Sequence, residues 1–213
     1  MLPGMSEKSG DKAFDFLVEL GVKVKLGTRV TEFDGEFVHT KDGQKIRCKK
    51  VVWAAGITGK PIKGFAEETL NKHKRFRVDG NLKVENMSNV YAIGDAAACI
   101  SEENPFGHPQ VAQTAIQQAK HLAKQFKTGN MIDFKYKDLG SMATIGRNKA
   151  VADIGKRNLS GFIAWIMWLF VHLFAIVGVK NKLLIFFNWT WNYLTYDQSL
   201  RLIIKPLNKK KKD

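Results

Sequence analysis

Between Leu159 and Val179 the chain contains no Asp, Glu, Lys or Arg. A helix drawn over Gly161 to Val179 would be about 28 Å long, close to the ~30 Å hydrocarbon layer of a bilayer, so length alone permits a span. The next apolar stretch, Leu183 to Leu194, includes Asn188, Thr190 and Asn192 and is too short to cross. Lys156 and Arg157 precede the uncharged run, while Lys180, Lys182 and the Lys209 to Lys212 run follow it. Basic flanks favour the cytoplasmic side, and a single span cannot put both flanks there. A helical hairpin lying in the interface, or dipping into it, satisfies both. Trp165, Trp168, Trp189 and Trp191 fall in this hairpin, and indoles favour the headgroup region. The competing reading is a buried helix pair in the core of a soluble oligomer; the uncharged length weighs against it.

Charge distribution points the same way. The net charge of +14 first admits either nucleic acid or an anionic phospholipid surface as partner. Residues 180–213 hold eight basic and two acidic side chains, so +6 of that excess lies directly after the uncharged run. This is not the interleaved pattern of a nucleic-acid face, and it favours lipid over nucleic acid, with each basic residue near the surface adding about 1 kcal/mol. Cys48 and Cys99 form no CxxC pair, and His39, His73 and His121 show no ligand spacing, so no metal site is expected.

Helical spacing of Ala13, Phe14, Phe16, Leu17 and Leu20 predicts a helix over Gly10 to Leu20, ended by Gly21. Val22 to Leu26 alternates apolar and basic residues, which predicts a strand. Further strands are expected at Thr28 to Phe33, Glu36 to Thr40 and, after an Asp42-Gly43 turn, Lys45 to Cys48. Lys50 to Gly56 and Asn89 to Asp95 read as apolar strands ending in small residues. A long helix is expected over Gln110 to Lys127, with Val111, Ala115, Leu122 and Phe126 on one side. Phe134 to Asp153 reads as a hairpin or small sheet turning at Gly146-Arg147-Asn148-Lys149. Strands mixed with helices imply an α/β or α+β body.

An acidic residue at the carboxyl end of a buried strand, next to a glycine, suits a sugar or ribitol hydroxyl: the carboxylate accepts while the glycine admits the ligand to the backbone. Gly94 and Asp95 have that placement, and the competing role for Asp95 is capping the next turn. The longer string Asn89-Val-Tyr-Ala-Ile-Gly-Asp95, followed by Ala112-Gln-Thr-Ala-Ile-Gln117, resembles the type II NADH dehydrogenases, the non-proton-pumping NADH:quinone oxidoreductases of the two-dinucleotide-binding flavoprotein superfamily. The resemblance runs from about Gly10 to Ile204. It implies Asp95 on the ribitol of FAD, Ala112 and Gln113 at the flavin pyrimidine edge, and Gln113 and Gln117 toward a membrane quinone. Val51-Val-Trp-Ala-Ala-Gly56 resembles the family's crossing strand, which implies Ala55 and Gly56 close to nicotinamide and flavin.

A helix start offers unpaired N–H groups and a partial positive charge, which suits the negative pyrimidine end of reduced flavin. Gln113 and Gln117 lie four apart and share a face, so both amides could reach one headgroup. Read without the resemblance, the same glutamines fit an ordinary amphipathic helix facing water. His108 in the preceding loop could serve as a proton donor, but a lone loop histidine is expected to be solvated. Lys149 and Tyr136 are expected toward the membrane side. Cys99 beside the Gly-Asp string raises a related sulfide:quinone chemistry, set against a small buried core residue.

The superfamily's GxGxxG fingerprints are missing: the chain contains no GxG. The expected fold is therefore α/β, an incomplete two-dinucleotide-binding-domain flavoprotein with a C-terminal membrane-associated helical hairpin. Residues 1–55 would complete an NADH domain and 56–158 an FAD domain with a small sheet. Residues 159–204 would be the membrane helices and 205–213 a basic tail. The resemblance implies two-electron transfer from NADH through FAD to quinone at the cytoplasmic face of the cell membrane, as part of a longer enzyme that leaves a homodimer open. The isolated chain is expected to be inactive. The alternative is a non-catalytic membrane-associated fragment lacking the cofactor-binding half.

Overall fold

The computed structural model describes residues 1–101 and 104–196. The basic tail at 205–213 and the last residues of the expected membrane segment lie outside the described residues. Two compact units emerge, one from Met1–Leu26 with the chain from Gly140 onward, the other from Gly27–Leu139.

In the first unit, helix α1 (Glu7–Glu19) packs against a three-stranded antiparallel sheet of β6 (Ser141–Gly146), β7 (Lys149–Ile154) and β8 (Arg157–Ser160). The order within the sheet is β6-β7-β8, so β7 is central. Its Ala150-Val151-Ala152 stretch is fully buried, and the pleat sends alternate side chains to opposite faces. Val151 meets Ala13 and Phe16 of α1, while Ala150 and Ala152 meet Ala164 of helix α3 (Gly161–Ala175). Small residues at 150 and 152 let that helix approach closely. The turn between β6 and β7 falls where expected, with Asn148 at φ +60°, a left-handed conformation that asparagine tolerates. Helix α1 starts three residues earlier than its apolar spacing predicts. Ser6 caps it, accepting from the Ser9 N–H at 3.3 Å, a signal carried by polar residues ahead of the apolar stripe.

The uncharged run does not form one long helix. Helix α3 ends at Ala175, Gly178 takes φ +87°, and α4 (Val179–Thr195) begins immediately after it. Fifteen residues give about 22 Å. No described helix is long and apolar enough to cross a membrane. Ring contacts between Trp165 and Tyr193 (5.4 Å) and between Trp168 and Trp189 (6.4 Å) run in opposite chain directions, so α3 and α4 form an antiparallel hairpin. The pair forms a hairpin, as expected from the charge flanks. Its docking on a membrane belongs with the proposed function.

In the second unit, β1 (Val30–Phe33), β2 (Phe37–Thr40) and β3 (Lys45–Arg47) form an antiparallel sheet, close to the expected bounds. Strand β4 (Phe76–Val78) pairs in parallel with β5 (Ala97–Cys99). Phe76, Val78, Leu82, Val84, Ala97 and Phe134 make the core. The chain is thus a mixed α/β protein.

Three expected strands are absent. Val22 to Leu26, Lys50 to Gly56 and Asn89 to Asp95 form no ladder, apart from an isolated bridge between Tyr91 and Lys83. Composition alone suits them to strands, but a strand needs a neighbour to take its N–H and C=O groups, and no described strand pairs with them. Val52 and Trp53, expected in a buried strand, are 89% and 66% exposed.

Candidate functional site

The Asn89–Asp95 string closes in a short 3-10 turn, Gly94–Ala96, directly ahead of β5. Gly94 is buried at φ +64°, and a Cβ there would sit 3.0 Å from the Cβ of Ala115 on helix α2 (Ala112–Thr128). Only glycine fits the left-handed backbone and the close approach together. The turn therefore lies against the first turn of α2. Asp95 projects from it as an exposed residue, and its backbone carbonyl accepts from the Gln110 amide at 3.1 Å. Cys99, at the end of β5, is buried, and burial followed by the charges of Asp79 and Asp133 pushes its thiol up. A thiol held protonated in the core is not a redox nucleophile.

Helix α2 begins two residues later than predicted, which makes Ala112 and Gln113 its first two positions. Val111, the N-cap, has no side-chain acceptor, and Ala112 is exposed. An uncapped, accessible helix start beside Asp95 offers both a hydroxyl acceptor and a partial positive charge.

The two glutamines bond to backbone. Gln117 takes both backbone groups of Lys137, donating to its carbonyl at 2.8 Å and accepting its N–H at 3.0 Å. Gln113 accepts the Leu139 N–H at 3.1 Å. His121 and Gln125 reach the Ile132 carbonyl at 2.7 and 2.8 Å. These four side chains, spaced four apart, stitch the extended 132–139 segment to the helix and replace the strand neighbour it lacks. Gln113 and Gln117 do share a face, as expected, and that face holds backbone. The apolar stripe does not bury as a whole either: Phe126 is exposed against Tyr91, and the buried residues of α2 are Thr114, Gln118 and Gln125.

Two supporting residues escaped the sequence reading, and a third, His108, is buried against expectation. Gln118, 1% exposed, accepts the Gly94 N–H at 2.7 Å and so fixes the turn from beneath. Its signal is positional: it follows the buried Thr114 by one helical turn. Arg75, also buried, donates to the carbonyls of Ala97, His108 (3.0 Å) and Phe106 (3.4 Å), tying β5 to the loop before α2. Burial lowers its pKa and the Asp95 charge raises it again. His108, expected to be solvated, is 8% exposed, with its ring 5.4 Å from Phe134 and 5.3 Å from Tyr136. Burial, then the Arg75 charge, pulls the imidazole below its ordinary value. Burial likewise pushes the Tyr136 phenol up.

The other sequence candidates have surroundings of their own. Ala55 and Gly56 sit exposed in the irregular segment, with no hydrogen bond to the Gly94–Asp95 turn among the described residues. Lys149 pairs with Glu19 of α1 and lowers that carboxyl chiefly through their hydrogen bond. Trp165, Trp168 and Trp189 line the α3–α4 hairpin, and Trp191 is exposed. No group of three or more potential metal ligands exists among the described residues.

Comparison with known proteins decides the family. Residues 1–119 match the pyridine nucleotide-disulphide oxidoreductase family. The chain belongs to it. Residues 139–196 match the NDH2 C-terminal domain, so the likeness to type II NADH dehydrogenases seen in the 89–95 and 112–117 strings is borne out. The type II NADH:quinone oxidoreductase Ndh of Mycobacterium tuberculosis is 36% identical over 92% of this chain and 44% of its own length. A probable NADH dehydrogenase of Dictyostelium discoideum is 30% identical over 89% of this chain and 42% of its own length. Among solved structures, NDH2 from Plasmodium falciparum in complex with NADH shares the fold at a TM-score of 0.83 and 18% identity, covering 94% of this chain and 57% of that one. The chain thus spans less than half the length of the curated relatives named here.

Proposed function

We propose that the chain is the C-terminal portion of an FAD-dependent NADH:quinone oxidoreductase that works at a membrane surface without pumping protons. The observation that carries this is the glycine turn ending in Asp95, packed against an uncapped helix start. The residues fit the cofactor. A Cβ at Gly94 would fill the space that the turn and α2 share, Asp95 is an accessible acceptor for a polyol hydroxyl, and the helix start suits an anionic ring edge. FAD held there would supply the chemistry, hydride acceptance from NADH and two-electron reduction of the quinone.

The protein's part is positioning. Asp95 accepts from a ribitol hydroxyl, and Ala112 and Gln113 present the start of α2 to the pyrimidine edge. Gln118 keeps Gly94 in place, and Arg75 keeps the 106–108 loop on β5. Gln113 and Gln117 act on the quinone side through the Lys137–Leu139 backbone that they hold. Ala55 and Gly56 border nicotinamide and flavin. Residues 1–55 and 56–158 complete the NADH and FAD domains of the longer protein, and 159–204 dock on the cytoplasmic leaflet. Phe170, Phe174, Val177, Leu183 and Phe187 leave the hairpin with an exposed apolar surface, as docking needs.

The test is flavin retention. The longer protein carrying Asp95→Ala should purify with less flavin, read from its absorbance near roughly 450 nm, and should lose NADH:quinone activity in proportion. Full flavin content in that variant would remove Asp95 from the site. The 213-residue chain alone, which has no GxG turn to hold a pyrophosphate, should stay colourless after incubation with FAD. A tightly yellow short chain would contradict the reading.

A further inference from the structure

The α3–α4 hairpin encloses a cleft of about 480 Å³, within the size range of small-molecule sites. Trp165, Trp168, Leu173, Phe186 and Trp189 form its apolar walls. Arg147, from the β6–β7 turn, is the one charged residue lining it. The guanidinium lies 4.2 Å from the Tyr193 ring and 3.7 Å from the Tyr196 ring, and donates to the Tyr193 carbonyl. Two aromatic faces thus hold it in place, and among the described residues it forms no ion pair. From Gly161 to Thr195 there is no Asp or Glu, so nothing acidic on the hairpin competes for it.

We propose that this cleft seats one acyl chain of an anionic phospholipid, with Arg147 holding the phosphate. The idea rests on the membrane-docking reading above and goes further by naming a site and its ligand. A nucleotide or small polar metabolite would find few partners along walls of indole, leucine and phenylalanine. A plain hydrocarbon, or a neutral quinone tail, would leave an oriented guanidinium without a function. An amphiphile with a planar-donor-binding anionic head and an apolar tail uses both. Arg147 sits at the Trp165–Tyr193 end of the hairpin and Leu173 lies toward the opposite end, so head and tail have separate places along one cleft.

The test uses the full chain with Trp53→Phe, so that tryptophan emission reports the hairpin alone. Vesicles of phosphatidylcholine with a minor share of phosphatidylglycerol carry bromine on the acyl chains of one lipid or the other. At equal mole fraction of brominated lipid and equal bound protein, brominated phosphatidylglycerol should quench about fivefold more effectively, the factor for one basic side chain at an anionic surface. Arg147→Gln should remove that preference while leaving circular dichroism and bulk vesicle binding in place, and Arg147→Lys should keep part of it. Removing residues 197–213 should weaken overall binding and leave the preference intact.

Equal quenching by both lipids, with docking retained, overturns the site and spares the membrane reading. So does a preference that follows the lysine tail instead of Arg147, or quenching that rises when the tail is removed, which would make the tail the occupant. Failure to bind any vesicle overturns both readings. Loss of the preference on adding a quinone analogue to the same mixed vesicles assigns the cleft to the quinone and also overturns the site.

Discussion

Gln118 shows how much a single buried amide can decide. Its carbonyl oxygen is the partner of the Gly94 N–H in a place closed to water. Gln118→Leu keeps the volume and removes the acceptor, which should destabilise the fold by about 1–3 kcal/mol in a denaturant titration. His108 supplies a pH-dependent counterpart. Its folded-state pKa is lowered by burial and by Arg75, so the folded chain binds fewer protons than the unfolded one. Stability from the neutral ring is present above the ordinary imidazole value, about 6.5, and drains away as pH falls toward the lowered one. Between about pH 7 and pH 5 the wild-type Tm should fall further than that of His108→Phe. Neither residue declares itself in sequence: a glutamine in a glutamine-rich helix and a histidine in a loop both read as surface. Gly94, Asp95 and Ala112 are legible because short strings fix their neighbours.

Among the elements, the ones read well are those whose pattern is self-contained. Helix α1, helix α2 and the β6–β7 hairpin make their own hydrogen bonds, so periodicity and turn residues suffice to find them. Segments 22–26, 50–56 and 89–95 fail for the opposite reason, since their ladders depend on partners that no local pattern reveals. The 132–139 segment shows an intermediate solution, an extended chain satisfied by side chains of a helix. Attachment of α1 to β7 is a further case that spacing could not show. Asp153 accepts from the Ser6 N–H at 2.6 Å, the Ser9 hydroxyl at 2.6 Å and the Asn158 amide at 2.7 Å. Burial alone would raise its pKa, but these bonds, with the Ser6 hydroxyl, hold it below the usual carboxylate value. A depressed folded-state pKa contributes stability above the unfolded value of about 3.9 and loses it as pH falls through the folded one. Asp153→Asn should lower stability near neutrality by about 1–2 kcal/mol, as for loss of a helix cap, and flatten the acid limb of the stability profile.

For the whole molecule, the expectation of a mixed α/β flavoprotein portion with a hairpin near its C-terminus holds at the level of fold. The hairpin is two short helices broken at Gly178, with an exposed apolar surface and basic neighbours, which the proposed docking would set against a membrane surface. Salt should therefore matter: binding of the chain to phosphatidylglycerol vesicles should weaken between low and near-physiological ionic strength, where the Debye length shortens to about 8 Å, and a sedimentation assay would show it. Binding that ignores salt would assign the attachment to the apolar face alone.

Strand β7 carries a consequence for how the chain comes to be folded. Its two faces are covered by a helix from the start of the chain and a helix that follows the sheet, and the bonds between Ser6 and Asp153 close a loop of 147 residues. Helix α1 emerges from the ribosome with its apolar face ready and waits for about 130 residues before its partner strand exists, roughly seven to twenty-five seconds at ~5–20 residues per second. During that interval Phe16 and its neighbours are open to other surfaces. The segment between, which can organise its own core, has time to fold first and to bring the two ends of the first unit within reach of each other.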